Sequence, residues 1–282
     1  MSPELDVRVV TVFVDGPGGG NPAPIVLDAT GLDDTAMQAV ARSYGHESAF
    51  VLDPAGTGCD LALRFWVPNH EMSMCGHATV GTVWLLARLG RLPRPGEVSV
   101  HTESGVVWAH IDPGGDVRVS QPAGRVEDVD GAAVLDALGL RPADLAGAVV
   151  NARTSRTKTL VPLTSVGVLD ALQPDPDAVD RACAAVDSTG LYPYVLTGDR
   201  LVEARQFPRS AGYPEDPATG VAAAALSFGL LHRGDVAADG GAITVRQGRA
   251  MGRPSRIEVQ FDLAGGAVGG VWLGGPVVLG EA

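Results

Sequence analysis

Apolar residues recur along this chain in two different periods. The run DVRVVTVFV (6–14) is β-branched and ends at the Gly/Pro cluster DGPGGGNP, after which APIVLD reads as a second strand, a hairpin-like start. DDTAMQAVARSYG (33–45) has acidic residues in its first turn, apolar residues at helical spacing and a glycine stop, which predicts a helix. SAFVL and DLALRFWVP predict further short strands. From Gly76 to Leu89 the apolar residues are nearly continuous. That is too long for a strand and predicts a helix buried on most faces, ended by Gly90. VSVHT, GVVWAHI and DVRVSQ predict three strands, and the polar, proline-containing segment 121–131 is the expected boundary. The grammar then repeats: helix 131–138, strands near 147–152 and 158–163, helix 175–186, strands near 191–197 and 201–207, a long apolar helix, and four β-rich segments.

Writing EMSMCGHATVGTVWLLARLG (71–90) over EDPATGVAAAALSFGLLHRG (215–234) aligns Glu71 with Glu215, Gly76 with Gly220 and Gly90 with Gly234 without a gap. Identities are few, but the plan is shared: an acidic residue, a short loop, a glycine at the helix entrance, and a helix apolar all round. Such a helix needs a sheet wrapped around it. The expected fold class is therefore α+β, with two pseudo-symmetric halves, each a curved, mostly antiparallel sheet around one central apolar helix. Residues 1–125 form the first half around helix 76–90, and residues 126–282 the second around helix 219–233. The last segment, 270–282, is able to return to the first half.

Composition narrows the partners. The formal charge of -12 argues against nucleic acid, whose counterions only a clustered basic face displaces. No run of 18 apolar residues and no signal-peptide pattern occurs, so no membrane association is expected. Cys59, Cys75 and Cys183 are too few and scattered for a disulfide framework, and the expected location is cytoplasmic. Lys158 is the only lysine, which reads as coding bias rather than chemistry.

Helix N-termini carry unpaired N–H groups and a partial positive charge, so two related entrances facing one cleft suit a small carboxylate. Cys75 and His77 stand at the first entrance, Asp216 near the second, and Glu47 in SYGHESAFV. A carboxyl in a dry cleft has raised proton affinity and suits proton abstraction beside a carbonyl or along a diene. Each residue also has a plain reading: Cys75 as a small hydrophobe, His77 as packing, Glu47 as a solvated side chain, Asp216 as an N-cap. HEMSMCGH lacks the HExxH spacing for zinc. GPGGGN precedes a strand rather than a helix, and no GxSxG elbow occurs, so no metal, cofactor or hydrolase triad is expected.

Five blocks, GNPAPIVLD, GHESAFVL, LRFWVPNHEMSMCGHATVG, RQFPRSAGYPEDPATG and QGRAMGRPSRIEV, occur in the order found in the PhzF-like phenazine-biosynthesis family, which has the diaminopimelate epimerase superfold. The resemblance runs from the first strand to the last segment. It implies a cofactor-independent enzyme, often a homodimer, with its active site between two similar halves. It places the family's glutamate acid/base on Glu47, its Gly-His pair on Gly76 and His77, and its functional acid on Asp216, with Gly76, Thr219, Gly220 and Val221 around the substrate. The family's serine after ATG is Val221 here, and MCGH resembles the first cysteine motif of proline racemases, with no second cysteine near EDPATG. The expected function is a proton and double-bond shift within a small unsaturated cyclic carboxylic or amino acid in secondary metabolism. The alternatives are an amino-acid racemase or epimerase using Cys75, and a non-catalytic protein binding small acids.

Overall fold

A computed structural model of the protein describes residues 5–280. Strand β1 (Val7–Val12) pairs antiparallel with β2 (Asn21–Val26) across the Gly/Pro turn. Helix α1 (Asp34–Tyr44) starts where the Asp33 carboxylate accepts from the N–H of Ala36 and stops at Gly45, whose φ of 68° closes the last turn. β3 (Ser48–Leu52), β4 (Leu61–Trp66) and the short β5 (Glu71–Met72) lead into α2 (Gly76–Arg88), followed by β6 (Gly96–Thr102), β7 (Gly105–Ile111) and β8 (Val117–Pro122).

The first run ends in β9 (Arg125–Asp128), and the second contains α3 (Ala132–Leu138), β10 (Val150–Arg153), β11 (Thr157–Pro162), α4 (Val166–Ala171) and α5 (Pro176–Ala185). It continues with β12 (Gly190–Leu196), β13 (Leu201–Ala204), β14 (Phe207–Pro208), α6 (Gly220–Arg233) and β15 (Ile243–Gln247), and ends with β16 (Ser255–Ala264), β17 (Ala267–Gly274) and β18 (Val277–Leu279).

Pairing repeats step for step in the two runs. β1–β2 antiparallel, β2–β3 parallel, β3–β4 antiparallel and β4–β6 parallel are matched by β10–β11, β11–β12, β12–β13 and β13–β15. β6–β7–β8 is matched by β15–β16–β17, and β8 pairs with β17 to join the two runs into one sheet. Each run also gives its last strand away: β9 pairs with β10, and β18 pairs with β1.

The two central helices differ from α1 in how they are enclosed. Eleven residues of α2 and eleven of α6 are buried, against Met37 and Ala41 alone in α1. Apolar residues on every face leave α2 and α6 stable only inside the curved sheet, and both belong to one continuous core. Gly81 shows how tightly α2 is held, since a Cβ there would lie 2.7 Å from Val10 Cγ2.

Some elements depart from the expected ones. α2 ends at Arg88 with Leu89 as its cap, short of 90, and α6 starts at Gly220 with Thr219 as its cap. β9 lies in the segment expected as a boundary; its side chains are mostly exposed, so no alternation marks it as a strand. α4 is one short helix with a single buried residue, Leu169, too little for a helical period to register.

Candidate active site

The helix entrances meet. A Cβ on Gly76 would lie 3.5 Å from the backbone nitrogen of Val221 and 3.6 Å from Gly220 Cα, which are contact distances. Cys75 and Thr219 precede the helices in extended conformations, and neither side chain caps its helix. Among the described residues no hydrogen bond engages the N–H groups of Gly76, His77, Gly220 or Val221, which therefore offer their donors and both positive helix ends to one small space.

What fixes the loops before the entrances is the aligned pair Glu71 and Glu215. Glu71 takes a forked bond from Arg64 at 2.5 and 2.6 Å, and Glu215 one from Arg205 at 2.8 and 2.7 Å. Each guanidinium also lies over the aromatic ring two residues on, Trp66 or Phe207. These acids are clamps.

Four acid/base groups gather at the entrances. His77 Nδ1 is 3.5 Å from Glu47 Oε2 and 3.3 Å from Cys75 Sγ. Asp216 Oδ1 accepts from Asn21 Nδ2 at 2.6 Å, and its Oδ2 accepts a very short bond from the Thr219 hydroxyl. All four are buried. Burial raises the Glu47 carboxyl, while Tyr213, Arg156, Lys158 and Asn21 pull it back. Burial, and then the charge of Glu47, pushes Asp216 up to about 7. Burial holds His77 below its usual value, and burial with the Glu47 charge drives the Cys75 thiol well up, so imidazole and thiol are both neutral near pH 7.

Glu47, Cys75 and His77 bring donor atoms within 4.8 Å of one another, a spacing that could hold a cation. Two helix N-termini aimed at the same place favour an anion instead.

The cavity bounded by these groups has a volume of about 30 Å³. A larger concavity of about 750 Å³ lies beside Arg125, Asn151 and Arg153 and contains none of the acid/base groups. Gly76, Thr219, Gly220 and Val221 all line the small one, with the buried Val221 side chain where a hydroxyl was expected by resemblance.

Several residues at the site carried no expected role. Asn21 also donates to the Ala218 carbonyl, and Gln247 donates to the Asp216 carbonyl at 2.6 Å and to Thr219 Oγ1 at 3.1 Å, fixing the second entrance. Both lay inside blocks quoted for the resemblance, GNPAPIVLD and QGRAMGRPSRIEV, the one signal that could have found them. Tyr213, Arg156, Lys158 and Gln206 also line the cavity.

Two runs built on one plan thus gather buried titratable groups where their central helices meet. The model for the phenazine biosynthesis-like protein family matches residues 10–271. The chain belongs to that family. It is 31% identical to the uncharacterized isomerase YddE of Escherichia coli, over 90% of this chain and 89% of that one. It is 31% identical to trans-2,3-dihydro-3-hydroxyanthranilate isomerase of Pseudomonas aeruginosa, over 95% and 94%. A crystal structure of a PhzF-family phenazine biosynthesis protein from Bacillus anthracis superposes with a TM-score of 0.84 at 25% identity, over 98% and 97% of the two chains. No described helix is long and apolar enough to cross a membrane.

Proposed function

We propose that this isomerase, without a cofactor, moves a proton and a double bond within a small unsaturated cyclic carboxylic or amino acid, in secondary-metabolite biosynthesis. The observation that carries the reading is the pairing of four unengaged helix-entrance amides with two buried carboxyls of raised proton affinity. The substrate carboxylate sits on the amides of Gly76, His77, Gly220 and Val221. Ionised Glu47 takes a proton from one ring carbon, the bonding pair moves into the conjugated system, and the same Glu47 returns the proton to another carbon. Neutral His77 and protonated Asp216 donate hydrogen bonds to the ring substituent and hold the developing negative charge. Cys75, kept as a thiol, forms wall. A homodimer in the cytoplasm belongs to the same reading, and light scattering of the purified protein checks the dimer.

A cavity of about 30 Å³ has room for about one water molecule, so a ring acid binds only if the wall parts. Arg209–Tyr213 is the wall segment that lies mostly at the surface, with Arg209, Ser210 and Gly212 exposed. It is tied down by Ser210 bonds to Asp180 and by Asn69.

The test uses trans-2,3-dihydro-3-hydroxyanthranilate and simple cyclohexadiene carboxylates in heavy water. Glu47→Gln is expected to slow deuterium incorporation by about 10²–10⁴-fold, the usual worth of a positioned general base, with binding nearly unchanged. Exchange at the wild-type rate in that variant would refute the role of Glu47.

A further inference from the structure

One stretch of the cavity wall takes no part in the proton shift. β11, β12 and the residues just before β11 and β14 supply it. Lys158 is the chain's only lysine and is 3% exposed. Among the described residues no carboxylate lies within 4 Å of its ammonium and no hydrogen bond reaches it, although it lines the cavity. Arg156, also on the wall, donates to Met72 Sδ at 3.2 Å, and among the described residues no carboxylate lies within 4 Å of its guanidinium. Gln206 is fully buried, and neither its amide nitrogen nor its amide oxygen has a partner. A Cβ on Gly190 would lie 3.2 Å from Lys158 Nζ and closer still to Gln206 Nε2, which places the ammonium and the amide side by side.

Such a cluster is costly in this protein. The chain has 33 acidic against 21 basic side chains, and its deeply buried guanidinium, Arg205, is answered by Glu215 and by the carbonyls of Leu169 and Leu172. Glu47 and Asp216 act on these cations only across the cavity, so two cations and an unpartnered amide leave room for an anion in direct contact that the protein does not itself supply. Burial, with the neighbouring charge of Arg156, brings Lys158 down to about 7 even though the charges of Asp216 and Glu47 pull it back up.

We propose that Lys158, Arg156 and Gln206 form a subsite for a second acidic group, so that the substrates of this enzyme are small unsaturated dicarboxylates. One carboxylate rests on the helix-entrance amides. The other is bound by the ammonium, the guanidinium and the Gln206 N–H. This rests on the reading of the cleft as an isomerase site.

Two probes that differ by one carboxylate test it: dihydrobenzoate and dihydroterephthalate, both cyclohexadiene acids, titrated calorimetrically into the wild-type protein. The dicarboxylate is expected to bind at least about tenfold tighter, since a buried charge-assisted contact is worth more than 1.4 kcal/mol, a factor of ten. Lys158→Met, and separately the half-buried Arg156→Met, is expected to cut that preference at least about fivefold. Equal affinities, no binding of the dicarboxylate at millimolar concentration, or an unchanged preference in Lys158→Met would overturn the proposal. If Lys158 only trims the charge of Glu47 and Asp216, both probes change alike and the ratio stays. Should Lys158→Met fail to fold, Arg156→Met and the wild-type ratio still decide. Ring deuteration followed by NMR on the same samples separates the two readings. Preference without exchange keeps the subsite and removes the isomerase, and exchange without preference does the reverse.

Discussion

Asp216 shows how one residue's chemistry is made by its surroundings. Its carboxyl moves from the ordinary 3.8 to about 7 because burial and the charge of Glu47 penalise ionisation. A raised acid binds a proton in the folded state that the unfolded chain releases. Its contribution to stability is therefore complete below about pH 4 and is lost as pH rises through about 7. Three units correspond to about 4 kcal/mol, and losing the bonds from Asn21 and Thr219 costs about 2. Asp216→Asn is thus expected to be on the order of 2 kcal/mol more stable than wild type at pH 8 and less stable at pH 4, read from urea unfolding at both values. The same raised acids predict an acid limb in kcat/KM. Once Glu47 and Asp216 are both protonated no carboxylate remains to take a proton, so activity falls on the acid side, at a pH above the ordinary range of a carboxylate. A pH–rate profile flat from pH 8 to pH 5 would contradict it. Glu47, Cys75, His77 and Asp216 stood out in the sequence because local motifs carry them. Asn21 did not, since its partner lies 195 residues away, and Lys158 looked like an accident of composition until the fold placed it on the cavity.

Among the elements, the two loop–helix units repay comparison. Each uses an arginine, its aromatic neighbour and a glutamate to fix the approach to a helix entrance, yet the settings differ in burial. The Arg205 and Glu215 side chains are 9% and 11% exposed, those of Arg64 and Glu71 29% and 26%. Breaking a buried pair strands the remaining charge, whereas a half-exposed one regains water. Arg205→Met is accordingly expected to cost about 3–5 kcal/mol and Arg64→Met about 1 kcal/mol by urea unfolding; equal losses would show that burial is not what separates them. The alignment of Glu71 with Glu215 was visible in the sequence, but the arginines were not. Arg64 lies seven residues before its partner and Arg205 ten, so no common spacing announces the pair. Long buried helices and alternating strands were legible for the opposite reason, because their periods are local.

At the scale of the whole molecule, the sheet closes by exchange of end strands. β18 covers the edge of β1, and β9 covers that of β10. A chain ending at Gly274 would leave β1 with unpaired N–H and C=O groups along a β-branched edge, a template for association. That truncation is expected to lower Tm by several degrees and to form oligomers visible in light scattering; unchanged Tm and a single species would show that β18 is dispensable.

The sequence by itself determined most of the succession of strands and helices, β9 and α4 excepted, the two all-apolar helices with their matched glycine entrances, and the inventory of acids and bases, because these depend on periods and motifs a few residues long. Only the tertiary structure decided that the two entrances touch and that β9 and β18 change places. It also decided that Lys158, Arg156 and Gln206 share a cavity with Glu47 and Asp216. Those facts depend on which distant segments lie side by side, and the proton affinities depend on how far water is excluded there, a quantity no stretch of sequence carries alone.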